Sequence, residues 1–181
     1  MIISAGRNEI FDFAMPMGVG LVDMSINLTK FLCENRKNLP SEIIFVGSAG
    51  LYKEGKILKI YESRSAVNYE ISALYGLSYS PISYEILARN STNVSYETIT
   101  NSSNFITTDK KSALKFFERG YFLENMEFFA VLKVTQKFQI PAYGIFCATN
   151  FCDSNAHVDF LKNHAAAKEN LTKYIKTKAL I

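Results

Sequence analysis

The strongest constraint on this chain is Ile43-Ile44-Phe45-Val46, an unbroken apolar run that ends in Gly47-Ser48-Ala49-Gly50. A run without polar alternation suits a strand covered on both faces, as strands in parallel sheets are. Pro141 to Ala148 has the same buried character. Helical spacing predicts helices over Gly18–Glu34, Lys110–Arg119, Asn125–Phe138 and His157–Ile175. In the first, Val19, Val22, Ile26 and Thr29 form the expected inward stripe, with Leu21, Ser25, Leu28 and Leu32 beside it. In the last, the expected apolar side is Phe160, Leu161, His164, Leu171 and Tyr174. Further strands are expected at Met1–Ser4, Ile10–Met15, from Gly55 through Tyr61, at Val94–Ile99 and at Asn104–Thr107. Tyr69 to Ile86 reads as a long irregular excursion, and loops of that length in compact folds are usually functional. Residues 1–181 therefore read as one α/β domain, a mixed sheet with helices on both faces.

Several function classes drop out on composition. The net charge of +3, from 20 Lys/Arg against 17 Asp/Glu, is too mild for a nucleic-acid surface, which needs a concentrated basic stripe. The densest basic region, Lys162 to Lys178, reads as a solvated helix face. No apolar stretch approaches the ~20 residues of a membrane span, and no secretory signal precedes the first strand. The expectation is a cytoplasmic protein, so the sequons at Asn27, Asn90, Asn93, Asn101 and Asn170 carry no meaning. Cys33, Cys147 and Cys152 fit neither a disulfide framework nor a zinc knuckle. His157 and His164 share a helix face but lack a third ligand, so no metal is expected.

Three segments end or begin elements with chemistry-bearing residues. The glycines of Gly47-Ser48-Ala49-Gly50 let backbone N–H groups face a ligand, and Ser48 adds a hydroxyl. Glu124-Asn125-Met126-Glu127 precedes a strongly apolar helix, where a carboxylate can serve the helix end or a ligand. Ala148-Thr149-Asn150-Phe151-Cys152-Asp153 follows a buried strand, where turn formers and ligand groups look alike. No dinucleotide or Walker pattern is present, so neither cofactor class is implied.

Taken in order, these segments resemble the nucleoside phosphorylase and nucleosidase superfamily, from about Met15 to the C-terminus. Met17-Gly18-Val19-Gly20 is similar to the family's glycine pair before its first long helix. Gly47-Ser48-Ala49-Gly50 resembles its ribose-side Gly-Ser/Thr-Ala-Gly. Asn101-Ser102-Ser103-Asn104-Phe105-Ile106 resembles the base-binding Ser-Gly-Asp-x-Phe-Ile, and Met126-Glu127 the Met-Glu pair. The resemblance implies that Phe105 stacks on the base and that Ile106 offers backbone to its edge. It implies that Met126 packs on the ribose, Glu127 accepts ribose hydroxyls, and Thr149-Asn150 addresses the purine N7. Ser48, Ala49 and Gly50 would lie beside the ribose and the nucleophile.

The expected chemistry is cleavage of a purine N-glycosidic bond, in which positive charge builds on the ribose. A carboxylate at Glu127 orients the sugar and stabilises that charge. The chain is shorter than the family norm, chiefly before Met15, where only Ala5-Gly6-Arg7-Asn8-Glu9 remains. Glu9 there would activate water, or Gly6 and Arg7 with Ser48 would hold phosphate as co-substrate. Phe45 replaces a phosphate-binding arginine of one phosphorylase branch. Asn150 stands where nucleosidases have an aspartic acid, and an amide donates a hydrogen bond but no proton. Because Thr149-Asn150 resembles trimeric phosphorylases, the leading expectation is phosphorolysis. Alternatives are a hydrolytic nucleosidase of the methylthioadenosine/adenosylhomocysteine or futalosine type, and a nucleoside-binding protein without efficient catalysis. A homo-oligomer built on dimers is expected, since the Tyr69–Ile86 excursion is aromatic and poor in charge.

Overall fold

The computed structural model describes residues 1–87 and 97–181. The chain runs β1 (Ile2–Ser4), β2 (Met15–Pro16), α1 (Gly20–Glu34), β3 (Ile43–Leu51), β4 (Ile60–Val67), α2 (Ile71–Leu74), β5 (Glu85–Leu87), β6 (Glu97–Ser102), α3 (Lys110–Glu118), β7 (Leu123–Asn125), α4 (Phe128–Phe138), β8 (Ala142–Phe151) and α5 (Ala156–Thr177). The eight strands among the described residues belong to one mixed sheet. The two apolar runs become β3 and β8, paired in parallel from Ile43↔Ala142 to Leu51↔Phe151. β8 also pairs antiparallel with β4, β4 pairs in parallel with β6, β6 with β7, and β7 returns antiparallel to β3. Five strands thus close a ring, and β1, β2 and β5 extend it.

The alternation of β3 explains why it is apolar throughout. Ile43 and Phe45 pack with Met24, Leu28 and Leu32 of α1 and with Phe128, Val131 and Leu132 of α4. Ile44 and Val46 face the other way, onto Ala167, Leu171 and Ile175 of α5. Each such fully buried side chain stabilises the fold by roughly 1.5–3 kcal/mol.

Five local expectations change. In α1 the buried row is Met24, Leu28 and Leu32, whereas Val22 and Ile26 are 60% and 59% exposed. Ile10–Met15 is a turn with an isolated bridge from Phe11 to Ala14, and only Met15–Pro16 joins the sheet. Extended structure after Gly55 begins only at Ile60, because residues 56–58 turn and Leu58 takes a φ of 64°. Asn104–Thr107 is a loop, its polar backbone served by side chains: Phe105 N–H by Ser103 Oγ, and Thr107 N–H by Glu124. On α5 the buried residues are Ala156, Ala167, Leu171 and Ile175, and Leu161 is exposed. Of the Val94–Ile99 strand, Glu97–Ile99 falls in β6, and 94–96 lie outside the described residues, as do Asn90 and Asn93. The long excursion holds only the single turn α2 and the first two residues of β5.

Candidate active site

β3 has β8 along one side but two neighbours on the other: β1 beside Ile44–Phe45 and β7 beside Gly50–Leu51. Between those neighbours the backbone of Ser48 meets no strand. Side chains fill the gap. Ser48 N–H donates to Glu9 Oε1 at 2.7 Å, the Ser48 hydroxyl donates to the same oxygen, and Asn125 Nδ2 donates to Ser48 O at 3.2 Å. A buried backbone group must find a partner, so the split strand edge summons a carboxylate and an amide to one point.

Glu9 reaches Ser48 because the N-terminal segment doubles back. Gly6 and Arg7 take φ values of 89° and 53°, and Glu9 N–H donates to Gly6 O at 2.9 Å. Gly47 permits the approach, since a Cβ there would lie 2.8 Å from Glu9 Oε2 and 3.1 Å from the Phe45 ring. Burial raises the Glu9 carboxyl above its ordinary range, although the two Ser48 donors and the charges of Lys168 and His164 oppose that rise.

Opposite stands Glu127, at the start of α4 and 3% exposed. Asn125 Oδ1 accepts from the N–H groups of Glu127 and Phe128, at 2.8 and 2.9 Å, so the amide that braces Ser48 also caps α4. Glu127 Oε1 accepts from Gly20 N–H at 2.8 Å, at the first turn of α1. The Asn125 side chain and the Met126 backbone also bond the Glu127 carboxylate. Burial, and secondarily the negative charge of Glu9, push the Glu127 carboxyl up to about 7.

The third wall comes from β8. Ala49 pairs with Ala148 but Gly50 with Asn150, so Thr149 is the extra residue of a bulge. Such bulges re-aim side chains beside functional sites. Asn163 Nδ2 of α5 donates to the Thr149 carbonyl at 2.8 Å, the Thr149 hydroxyl donates to Asn150 Oδ1 at 2.9 Å, and Asn150 Nδ2 donates to Phe151 O at 3.0 Å. The Asn150 oxygen is therefore occupied and the amide N–H₂ keeps one hydrogen to offer. Gly50 lies between β7 and β8, and a Cβ on it would meet Cys152 Sγ at 2.8 Å and Asn150 Nδ2 at 3.1 Å.

These walls enclose a pocket of about 380 Å³. It gathers Gly6, Arg7, Glu9, Ser48, Ala49, Gly50, Ile106, Met126, Glu127, Thr149 and Asn150, all singled out in the sequence. Phe105 does not join them: it is 78% exposed and outside the lining, whereas its neighbour Ile106 belongs to it. Val19, Ala156 and Phe160 line the pocket without having been singled out as site residues. Val19 carried a signal, since it sits inside the glycine pair before α1. His157 also lines the pocket and stacks on Phe160, with ring centroids 6.5 Å apart. Among the described residues no group of three or more His, Cys, Asp or Glu could hold a metal, and no helix is long and apolar enough to cross a membrane.

No protein-family model matches the chain, and no curated protein matches it in sequence. Solved structures do match it in shape. A mutant of futalosine hydrolase from Helicobacter pylori superposes with a TM-score of 0.79 at 17% identity, covering 97% of this chain and 95% of that one. A mutant 5'-methylthioadenosine nucleosidase of the same organism, with 5'-methylthioadenosine in its active site, gives 0.79 at 18% identity, with the same coverage. The methylthioadenosine/adenosylhomocysteine nucleosidase of Streptococcus pneumoniae, bound to a transition-state inhibitor, gives 0.74 at 11% identity, covering 95% and 94%. The fold is that of the nucleosidases.

Proposed function

We propose that this protein hydrolyses the N-glycosidic bond of a purine nucleoside. The observation that carries the reading is the Glu9 carboxylate seated on the Ser48 N–H and hydroxyl, in the same pocket as Glu127. The donors that a phosphate would need are already given to an anion, and the second carboxylate adds negative charge. This arrangement favours water over phosphate as the nucleophile, against the phosphorolysis that Thr149-Asn150 implied. The solved structures of like fold are nucleosidases and a hydrolase, which supports the same choice.

In this reading Glu9 takes a proton from water as the water oxygen bonds to the anomeric carbon and the C–N bond breaks. Glu127 accepts ribose hydroxyls and opposes the charge that grows on the sugar. Asn150 donates its remaining amide hydrogen to the departing base. The base draws its proton from solvent, because an amide has none to give. Met126 and Ala49 bound the ribose, and Ile106 borders the base.

Incubation with methylthioadenosine, adenosine, inosine and guanosine, with and without phosphate, tests the proposal through base release. Turnover without phosphate is expected, and turnover that requires phosphate overturns it. The Asn150 amide also favours a second reading, a nucleoside-binding protein without efficient catalysis. Thermal stabilisation by a nucleoside with no base released on long incubation would select it.

We also propose a homo-oligomer built on dimers. Leu77 and Tyr79 are 81% and 88% exposed, and with Ile82 they form an apolar run of the kind that marks interfaces. Light scattering at micromolar concentration checks this, and a 20.4 kDa species that remains active defeats it.

A further inference from the structure

Glu124 is a buried carboxylate that the reaction leaves unused. It ends up 6% exposed on β7, three residues before Glu127. Thr107 gives it two bonds, N–H to Oε2 at 3.0 Å and hydroxyl to Oε1 at 2.5 Å. Tyr52 adds its hydroxyl to Oε1 at 3.1 Å, and Cys152 its thiol to Oε2 at 3.6 Å. Burying a carboxylate costs several kcal/mol unless donors surround it, and here four do.

The loop that Thr107 closes has no ladder of its own. Ser103 Oγ donates to Glu70 Oε2 at 3.1 Å at the near end, and Asn104 Oδ1 accepts from Leu21 N–H at 2.8 Å. Ser103 and Thr107 are buried, whereas Phe105 and Ile106 between them are 78% and 50% exposed. Two apolar side chains are thus held outward by polar clamps on either flank. Such a display gains nothing for the core, and one of the two, Ile106, lines the pocket.

We propose that Glu124 is a positioning residue whose grip on Thr107 fixes the 103–107 loop as the rim against which the substrate's base is held. The assignment of the occupant as a base rests on the nucleoside reading above; the clamp itself does not. Glu124 borders the pocket, but its oxygens are held by Thr107, Tyr52 and Cys152, and it acts through Thr107.

Hydrogen exchange and steady-state kinetics on the full chain test the clamp and its role separately. Glu124→Gln sets an amide N–H₂ against donors and should speed exchange of the residue 105–107 amides by about tenfold or more, because their opening no longer breaks a charged contact. Thr107→Val removes the hydroxyl alone and should give a smaller rise, whereas Thr107→Ser keeps both donors and should restore protection. The KM for the nucleoside should rise about tenfold in Glu124→Gln, with kcat within about threefold of the parent, the pattern of lost binding that is uniform along the reaction. Unchanged exchange in both Glu124→Gln and Thr107→Val overturns the clamp, whatever the protein does to nucleosides. Faster exchange with an unmoved KM overturns the rim role. Should the parent release no base from any nucleoside, the glycosidase reading fails, and the nucleoside Kd by calorimetry replaces KM: a Kd that does not weaken in Glu124→Gln overturns the rim role in the same way.

Discussion

Glu124 and Glu127 stand three residues apart, are both buried, and live in opposite surroundings. Glu124 meets four donors and holds a loop; Glu127 accepts from Gly20 N–H at the pocket wall and has the Glu9 carboxylate for a neighbour. Burial raises both carboxyls and hydrogen bonds oppose the rise at both, but at Glu127 the charge of Glu9 adds to it. The difference separates structure from chemistry. A carboxylate ringed by donors away from other charges is part of the scaffold, and one set beside a like charge in the pocket gains most from a ligand that brings hydroxyls.

The largest expected effect lies on the side of the two neighbouring carboxylates. Glu9→Gln cannot accept a proton from water and should lower kcat by about 10³-fold, with the melting temperature little changed, since Gln can still accept from Ser48. A variant with parental turnover would erase the contrast. Glu127→Gln should follow, at about 10²-fold in kcat. Its amide oxygen can still cap Gly20, so thermal stability should move far less than turnover; unchanged turnover would leave Glu127 with helix capping alone.

The same contrast predicts a pH dependence of stability. The Glu127 carboxyl rises from 4.5 to about 7 on folding, so its protonated form is favoured in the folded state. Its contribution is fully present below pH 4.5 and is lost as pH rises through about 7, on the order of 3 kcal/mol at the limit. Melting temperature should therefore fall between pH 5 and 8, and Glu127→Gln should flatten that fall relative to the parent. A slope that survives the substitution would transfer the effect to another carboxyl.

The smallest effect belongs to the residue that joins the two sides. Asn125→Ala removes the cap of α4 and the brace on Ser48 and should cost about 1–2 kcal/mol by chemical denaturation. Because the brace holds Ser48 and hence Glu9, kcat should drop along with stability, unlike in the Glu124 variants. Loss of stability with kcat intact would show that the brace does not reach the chemistry.

How much of this was legible before the fold was seen follows from physics. β3 and β8 announce themselves because strands buried on both faces need unbroken apolar runs. α1 misled because it carries apolar residues on two faces, and periodicity cannot say which one meets β3; packing chose Met24, Leu28 and Leu32. β7 is three residues long and exists through its pairings with β3 and β6, which no local pattern encodes. Glu9 was read as one of two options, since its contact with Ser48 spans 39 positions and depends on the gap in the strand edge. Glu124 shows as a carboxylate at a helix start, but the pattern of Asn104–Thr107 suggests a strand, and a strand hides the clamp at Thr107. Phe105 was placed by resemblance and stands outside the lining in the described chain.

The closed ring of strands has a consequence for the protein while it is being made. The pocket needs the loop at Glu9, the middle of β3, the end of β7 and the bulge at Thr149, and β8 bonds to both β3 and β4. Contacts this far apart form late, after the chain between them has been ordered. A nascent chain on the ribosome therefore holds Glu9, Ser48 and Glu127 long before it can present them together. Ligand recognition therefore waits for β8 and for the start of α5, because Ala156, His157 and Phe160 complete the lining.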